Sequence, residues 1–202
     1  MAGGGGPSGV RVPRRRSRNL ELGSLEATIK STDESAILIP PWLLRSVMVA
    51  DTQAGGTTLL ILRGKSHGIR RDRLEAIIEQ RDLPLYLERT GGSVLLLLAR
   101  PDEDWLVATE DAAVLREYWR LLFHARAYIT IKQRLEAAGW QGAVQVRIER
   151  IGRSTFNDAR FVLQRERLVA PTADDLEVYS RFAATFLEMT FFSPDLLPRF
   201  FA

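Results

Sequence analysis

Short apolar runs broken by Gly and Pro occupy the first half of this chain. Long stretches with an apolar residue every three to four positions occupy the second. In the first half, Ala36, Ile37, Leu38 and Ile39 predict a short strand stopped by Pro40 and Pro41. Pro41 suits the first turn of a helix through Leu43, Leu44, Val47 and Met48. Trp42, beside the prolines, reads as a core anchor. Residues 53–56 read as a turn, 57–62 as a β-rich apolar run and 64–68 as a loop. Asp72, Arg73, Leu74 and Glu75 have the form of a capping box, opening a helix with Leu74, Ile77 and Ile78 on its apolar stripe. Residues 83–88 alternate like a half-buried strand, and 90–92 form a Gly-containing hairpin turn. The run from Val94 to Ala99 is apolar at every position, so this strand should be central and covered on both faces.

Beyond Asp102, Glu103 and Asp104, which read as a turn, the helical period takes over. Thr109 suits a helix cap, with Glu110 and Asp111 at the positive end of the dipole. Val114, Tyr118, Leu121, Ala125, Tyr128 and Leu135 then share one face, and Gly139 stops the helix. A helix over 110–138 is about 42 Å long. A compact chain of this size has a radius of gyration of roughly 17 Å, so this helix should be the spine of the molecule. Residues 142–152 fit either period: Val144, Val146 and Ile148 alternate, whereas Val144, Ile148 and Ile151 fit a helix. The helical surroundings favour the second. Ser154 caps a further helix with Phe156, Ala159, Val162 and Leu163 inward. The last long helix starts at 172–175, with Leu176, Tyr179, Phe182, Phe186 and Met189 on its inward face, and Ser193 and Pro194 break it.

The expected class is therefore α+β: a small sheet of three or four strands over 20–105, then a helical part over 106–202. A Gly- and Arg-rich tail over 1–19 lacks the apolar surface to offset ordering entropy, and is expected to be disordered.

Charge changes this picture only in that tail. Arg11, Arg14, Arg15, Arg16 and Arg18 stand there without an acid, so of the net +3 the remaining residues carry −2. Five arginines could neutralise phosphates weakly and without sequence preference, which makes nucleic acid one candidate partner. The absence of Cys excludes disulfides, thiolate catalysis and Cys-ligated zinc. No secretory signal pattern opens the chain and no apolar run approaches the roughly 20 residues needed to span a bilayer. Cytoplasmic residence is expected, with no membrane partner.

Candidate chemistry is sparse. Gly64, Lys65 and Ser66 follow an apolar run, but Leu59 stands where a phosphate loop requires its first Gly. His67 in the expected loop and His124 on the spine lack partners at ligand spacing, so neither a metal nor a cofactor is expected. Glu117 with Arg120 reads as solvated charge patterning. An enzyme would have to use His124 or the acids Asp102 and Glu103, and nothing in the sequence supplies their partners. The unusual feature is the end of the chain, where Phe191, Phe192, Leu196, Leu197, Phe200 and Phe201 crowd into a few positions. Such surface points to a non-enzymatic module that meets another protein, or a further part of the same polypeptide.

Overall fold

The structure is a computed structural model that describes residues 20–52, 64–82 and 92–201. The fold is α+β, a three-stranded sheet in the first half followed by helices. Helix α1 (Leu22–Thr32) leads into β1 (Ala36–Ile39) and α2 (Pro41–Thr52). Strand β2 (Ser66–Arg70), α3 (Arg71–Arg81) and β3 (Val94–Ala99) complete the sheet unit. The helical part comprises α4 (Glu103–Ala108), α5 (Asp111–Ala137), α6 (Trp140–Ile151), α7 (Arg153–Arg165) and α8 (Asp175–Phe192). A 3₁₀ turn (Pro194–Leu196) and α9 (Leu197–Phe200) follow.

The strand order is β1-β3-β2, with β1 parallel and β2 antiparallel to the central β3. Leu95, Leu96, Leu97 and Leu98 are all fully buried, each contributing ~1.5–3 kcal/mol by leaving water. Their alternation supplies two cores. Leu96 and Leu98 join Leu38 beneath α1 and α5, while Leu95 and Leu97 join Ile39 and Ile69 beneath α2 and α3. The all-apolar run thus became the covered central strand because both of its faces have helices to meet.

The spine is α5, 27 residues long. Its inward face carries Val114, Tyr118, Leu121, Ala125, Tyr128 and Leu135, as the period requires. A third core gathers Val144 and Ile148 of α6, Phe156 and Leu163 of α7, and Leu176 of α8. Residues 142–151 are helical, so the ambiguous segment follows its surroundings.

Several local expectations are corrected. Residues 66–70 are a strand rather than a loop: Ser66 pairs with Leu98 and Arg70 with Val94, so backbone pairing to β3 overrides the weak strand propensity of Ser, His and Gly. The α3 helix begins at Arg71 after a non-capping Arg70, and Asp72 lies inside its first turn, bonded to the Arg70 guanidinium. Residues 103–108 form a helix that Asp102 caps through Asp104 and Trp105, so the acid cluster is a helix start. Thr109 ends α4, and Glu110 precedes α5. Gly152, with φ of 93°, joins α6 to α7 and occupies the cap position expected for Ser154. Trp42 is half exposed, because α2 buries the opposite side through Leu43, Leu44, Val47 and Met48. Residues 22–32 carried no expected element and form α1. The expected turn at 53–56, the strands at 57–62 and 83–88, most of the turn at 90–92 and the Arg tail lie outside the described residues.

Candidate functional site

The four phenylalanines among the six apolar residues singled out near the end of the chain divide into two ring clusters. Phe123 of α5 receives Phe191 and Phe192 edge-on, at centroid distances of 5.4 and 5.7 Å. After the turn at Ser193, α9 folds back along α8, so that Phe201 meets Phe182 at 5.2 Å and Phe200 at 4.9 Å. Phe192, Leu197, Phe200 and Phe201 are partly covered. Phe191 remains 68% exposed and Leu196 49%.

The orientation of α8 differs from the expectation in a way that decides the character of this region. Its buried residues include Glu177, Ser180, Arg181, Thr185 and Glu188, while Phe186 and Leu187 are exposed. Leu176 is buried, but Tyr179 and Phe182 only pack partly against the third core and Met189 is only partly covered. An amphipathic helix ordinarily turns its apolar stripe inward. Here the polar stripe is inward because α5 offers it a complementary one.

That complement is a row of ionisable side chains along α5, at 117, 120, 124, 128 and 132. Tyr128 donates its hydroxyl to the Glu177 carboxylate at 2.5 Å, and Lys132 Nζ donates to the same oxygen at 3.2 Å. Arg181 donates to the other Glu177 oxygen at 3.2 Å, with its guanidinium 4.0 Å from the centroid of the Tyr128 ring. Farther along, His124 Nδ1 lies 2.7 Å from Glu188 Oε2 and its Nε2 lies 3.4 Å from Arg181. A carboxylate only accepts and a guanidinium only donates. The bound form is therefore a neutral imidazole with its proton on Nδ1. Arg120 bridges Glu188 to Glu117. The Glu117–Arg120 pair, expected to be solvated, is thus the half-buried end of an interhelical network.

Burial pushes the His124 imidazole below its ordinary value, and nearby Arg181 adds to this against the pull of Glu188. Burial also opposes ionisation of Glu177, but Arg181, Lys132 and the Tyr128 hydroxyl overcome it and hold the carboxyl at about 2. Glu188 is likewise depressed, His124 and Arg120 outweighing burial.

No known protein family, characterised protein or solved structure matches this chain.

The chemistry must therefore be read from the groups themselves. Both nitrogens of His124 are engaged. His67, expected in a loop, lies on β2 fully buried, with Nε2 2.9 Å from Asp51 and Nδ1 without a partner among the described residues. Burial disfavours the charged form of Asp51, but its hydrogen bond and attraction to His67, with Lys132 and Arg73, hold it well below the usual carboxylate range. A histidine with no exposed atom is poorly placed to exchange protons with a substrate. Asp102 is occupied as a cap. Ser66 opens a strand instead of the helix that a phosphate loop requires. Among the described residues no three acidic or His side chains converge to hold a metal, and no helix is long and apolar enough to cross a membrane.

Sequence reading missed Lys132, Glu177, Arg181 and Glu188. The signal was present as two polar stripes at helical spacing with opposed charges, one on each long helix.

Proposed function

We propose that this chain is a protein-interaction module rather than a catalyst. Its contact surface is the outer face of the second half of α8 with the turn that follows. The observation supporting this reading is the orientation of α8: its polar stripe is committed to α5 beside Val178 and Ala184, so Phe186, Leu187 and Phe191 meet water. Of the nine large apolar side chains exposed among the described residues, four fall within this short segment: Phe186, Leu187, Phe191 and Leu196. Such concentration is characteristic of a surface that is covered in use.

A second copy of the chain is the occupant we favour. Asp195 and Arg199 are both exposed on this strip, and neither has an ion pair among the described residues. A twofold axis through the strip sets each acid against the other copy's base, which makes the surface self-complementary.

Light scattering and sedimentation of the full chain across concentration test this. A dimer is expected, and Phe191→Asp should raise its dissociation constant by about tenfold or more. The circular dichroism should be unchanged, because Phe191 is mostly exposed. A chain that stays monomeric to about 100 μM, or a dimer indifferent to Phe191→Asp, overturns the reading.

A further inference from the structure

The strands of the sheet unit end around a cavity of about 600 Å³. Parallel β1 and β3 both run toward it, finishing at Ile39 and Ala99, and antiparallel β2 starts there at Ser66. Ligands of α/β sheets characteristically bind outside the carboxyl ends of parallel strands, where connections diverge and leave a crevice. The volume lies within the range of small-molecule sites. Leu44 of α2, Leu121 of α5 and Trp105 of α4 supply apolar walls. Tyr118 is fixed in the wall by donating its hydroxyl to the Ala99 carbonyl at 2.7 Å.

The charges around this cavity are unequal. Arg45, Lys65 and Arg100 line it, against Asp102 and Glu117. Both acids are already engaged, Asp102 as the cap of α4 and Glu117 by the Arg120 guanidinium at 2.8–2.9 Å. The cations are held more loosely. Lys65 reaches Glu117 only at 3.6 Å and is 65% exposed, Arg100 reaches Glu26 at 3.5 Å, and Arg45 has no ion pair among the described residues. Among the described residues, one surplus positive charge faces an apolar chamber.

We infer that this cavity binds a small amphipathic monoanion, its carboxylate or sulfonate head between Arg45, Lys65 and Arg100 and its apolar body against Leu44, Trp105 and Leu121. The site is separate from the α8 surface and does not depend on the interaction reading.

The test is a fluorescence titration of the full chain with anilinonaphthalene sulfonate and, in parallel, with its uncharged relative phenylnaphthylamine. One saturable sulfonate site per chain, displaced by decanoate, is expected. Arg45→Glu, on an exposed helix position, should weaken sulfonate binding about tenfold or more while leaving the uncharged dye nearly unaffected. Lys65→Glu should act in the same direction, and Phe191→Asp should leave both dyes bound as before. Absence of saturable binding, equal response of the two dyes to Arg45→Glu, or loss of binding in Phe191→Asp would each overturn the assignment. The last outcome would place the dye on α8.

Discussion

Glu177 ties three side chains from two helices together in the interior. Its two oxygens receive Tyr128, Lys132 and Arg181, and its side chain is only 12% exposed. Removing one member of such a set leaves its partners charged and desolvated. That cost exceeds what the attraction contributes when the set is intact. Glu177→Ala should therefore destabilise the fold by about 3 kcal/mol, read as a shift of the urea midpoint. The exposed Arg165–Glu166 pair provides the contrast, since its removal should change stability by less than about 1 kcal/mol. His124 adds a pH dependence. The folded chain keeps its imidazole neutral below the ordinary value of 6.5, while the unfolded chain takes up a proton there. The unfolded state then binds more protons, so stability is complete above that value and declines as pH falls from it toward the folded value. Glu177 and Glu188 continue the decline below their ordinary value of 4.5. Thermal melts from about pH 8 to about pH 5 should show a decreasing Tm, with the slope near pH 6 reduced in His124→Asn. A Tm rising on acidification through that window would contradict the assigned proton.

Elements that were legible from sequence are those whose own pattern dominates their surroundings. The spine helix, the central strand, α2 and α7 each bury the apolar stripe that their spacing predicts, because one apolar face can settle only against a core. Strand β2 was not legible. Ser, His and Gly favour loops locally, and only pairing with β3 makes this stretch extended. Gly68 shows the constraint at close range: a Cβ there would stand 2.6 Å from the Ala125 carbonyl oxygen and 2.7 Å from Ile129 Cβ. Its hydrogen is what allows the spine to lie directly on the strand. Gly68→Ala should force β2 and α5 apart, costing about 1–3 kcal/mol by overpacking, measurable as a lower Tm in calorimetry. The α8 helix was legible as a helix but not in its rotation. Its two faces compete for the interior, and the α5 partner, distant in sequence, decides between them.

For the whole molecule, α5 is the common wall. One stretch closes the sheet core beside α1, and its far end joins Leu135 to the core of α6, α7 and α8. The charged rungs to α8 run alongside these from Arg120 to Lys132. The two proposed sites have different linings although both lie near the first half of α5: the cavity opens where the strands finish and includes Glu117, Tyr118 and Leu121, whereas the apolar strip lies on α8 past Glu188, with Phe191 against Phe123. Disrupting one should leave the other intact, and Phe191→Asp, applied to both dimer formation and dye binding, separates them in a single variant. The strip was partly legible from sequence as crowded rings. The cavity was not, since Arg45, Lys65 and Arg100 come from three separate segments and share no spacing.

What the sequence determined by itself was periodicity where it is strong: that the stretches of α2, α5, α7 and α8 coil, that those of β1 and β3 extend, and that the chain would combine a small sheet with a helical half. Those are properties of neighbours within one turn or one pleat, where local sterics and apolar spacing are sufficient. Only the tertiary structure decided which face of α8 is inside, which histidine is held neutral, and which cations surround a common hollow. These depend on groups brought together across many tens of residues, and their charges acquire meaning only when a partner helix removes the water between them.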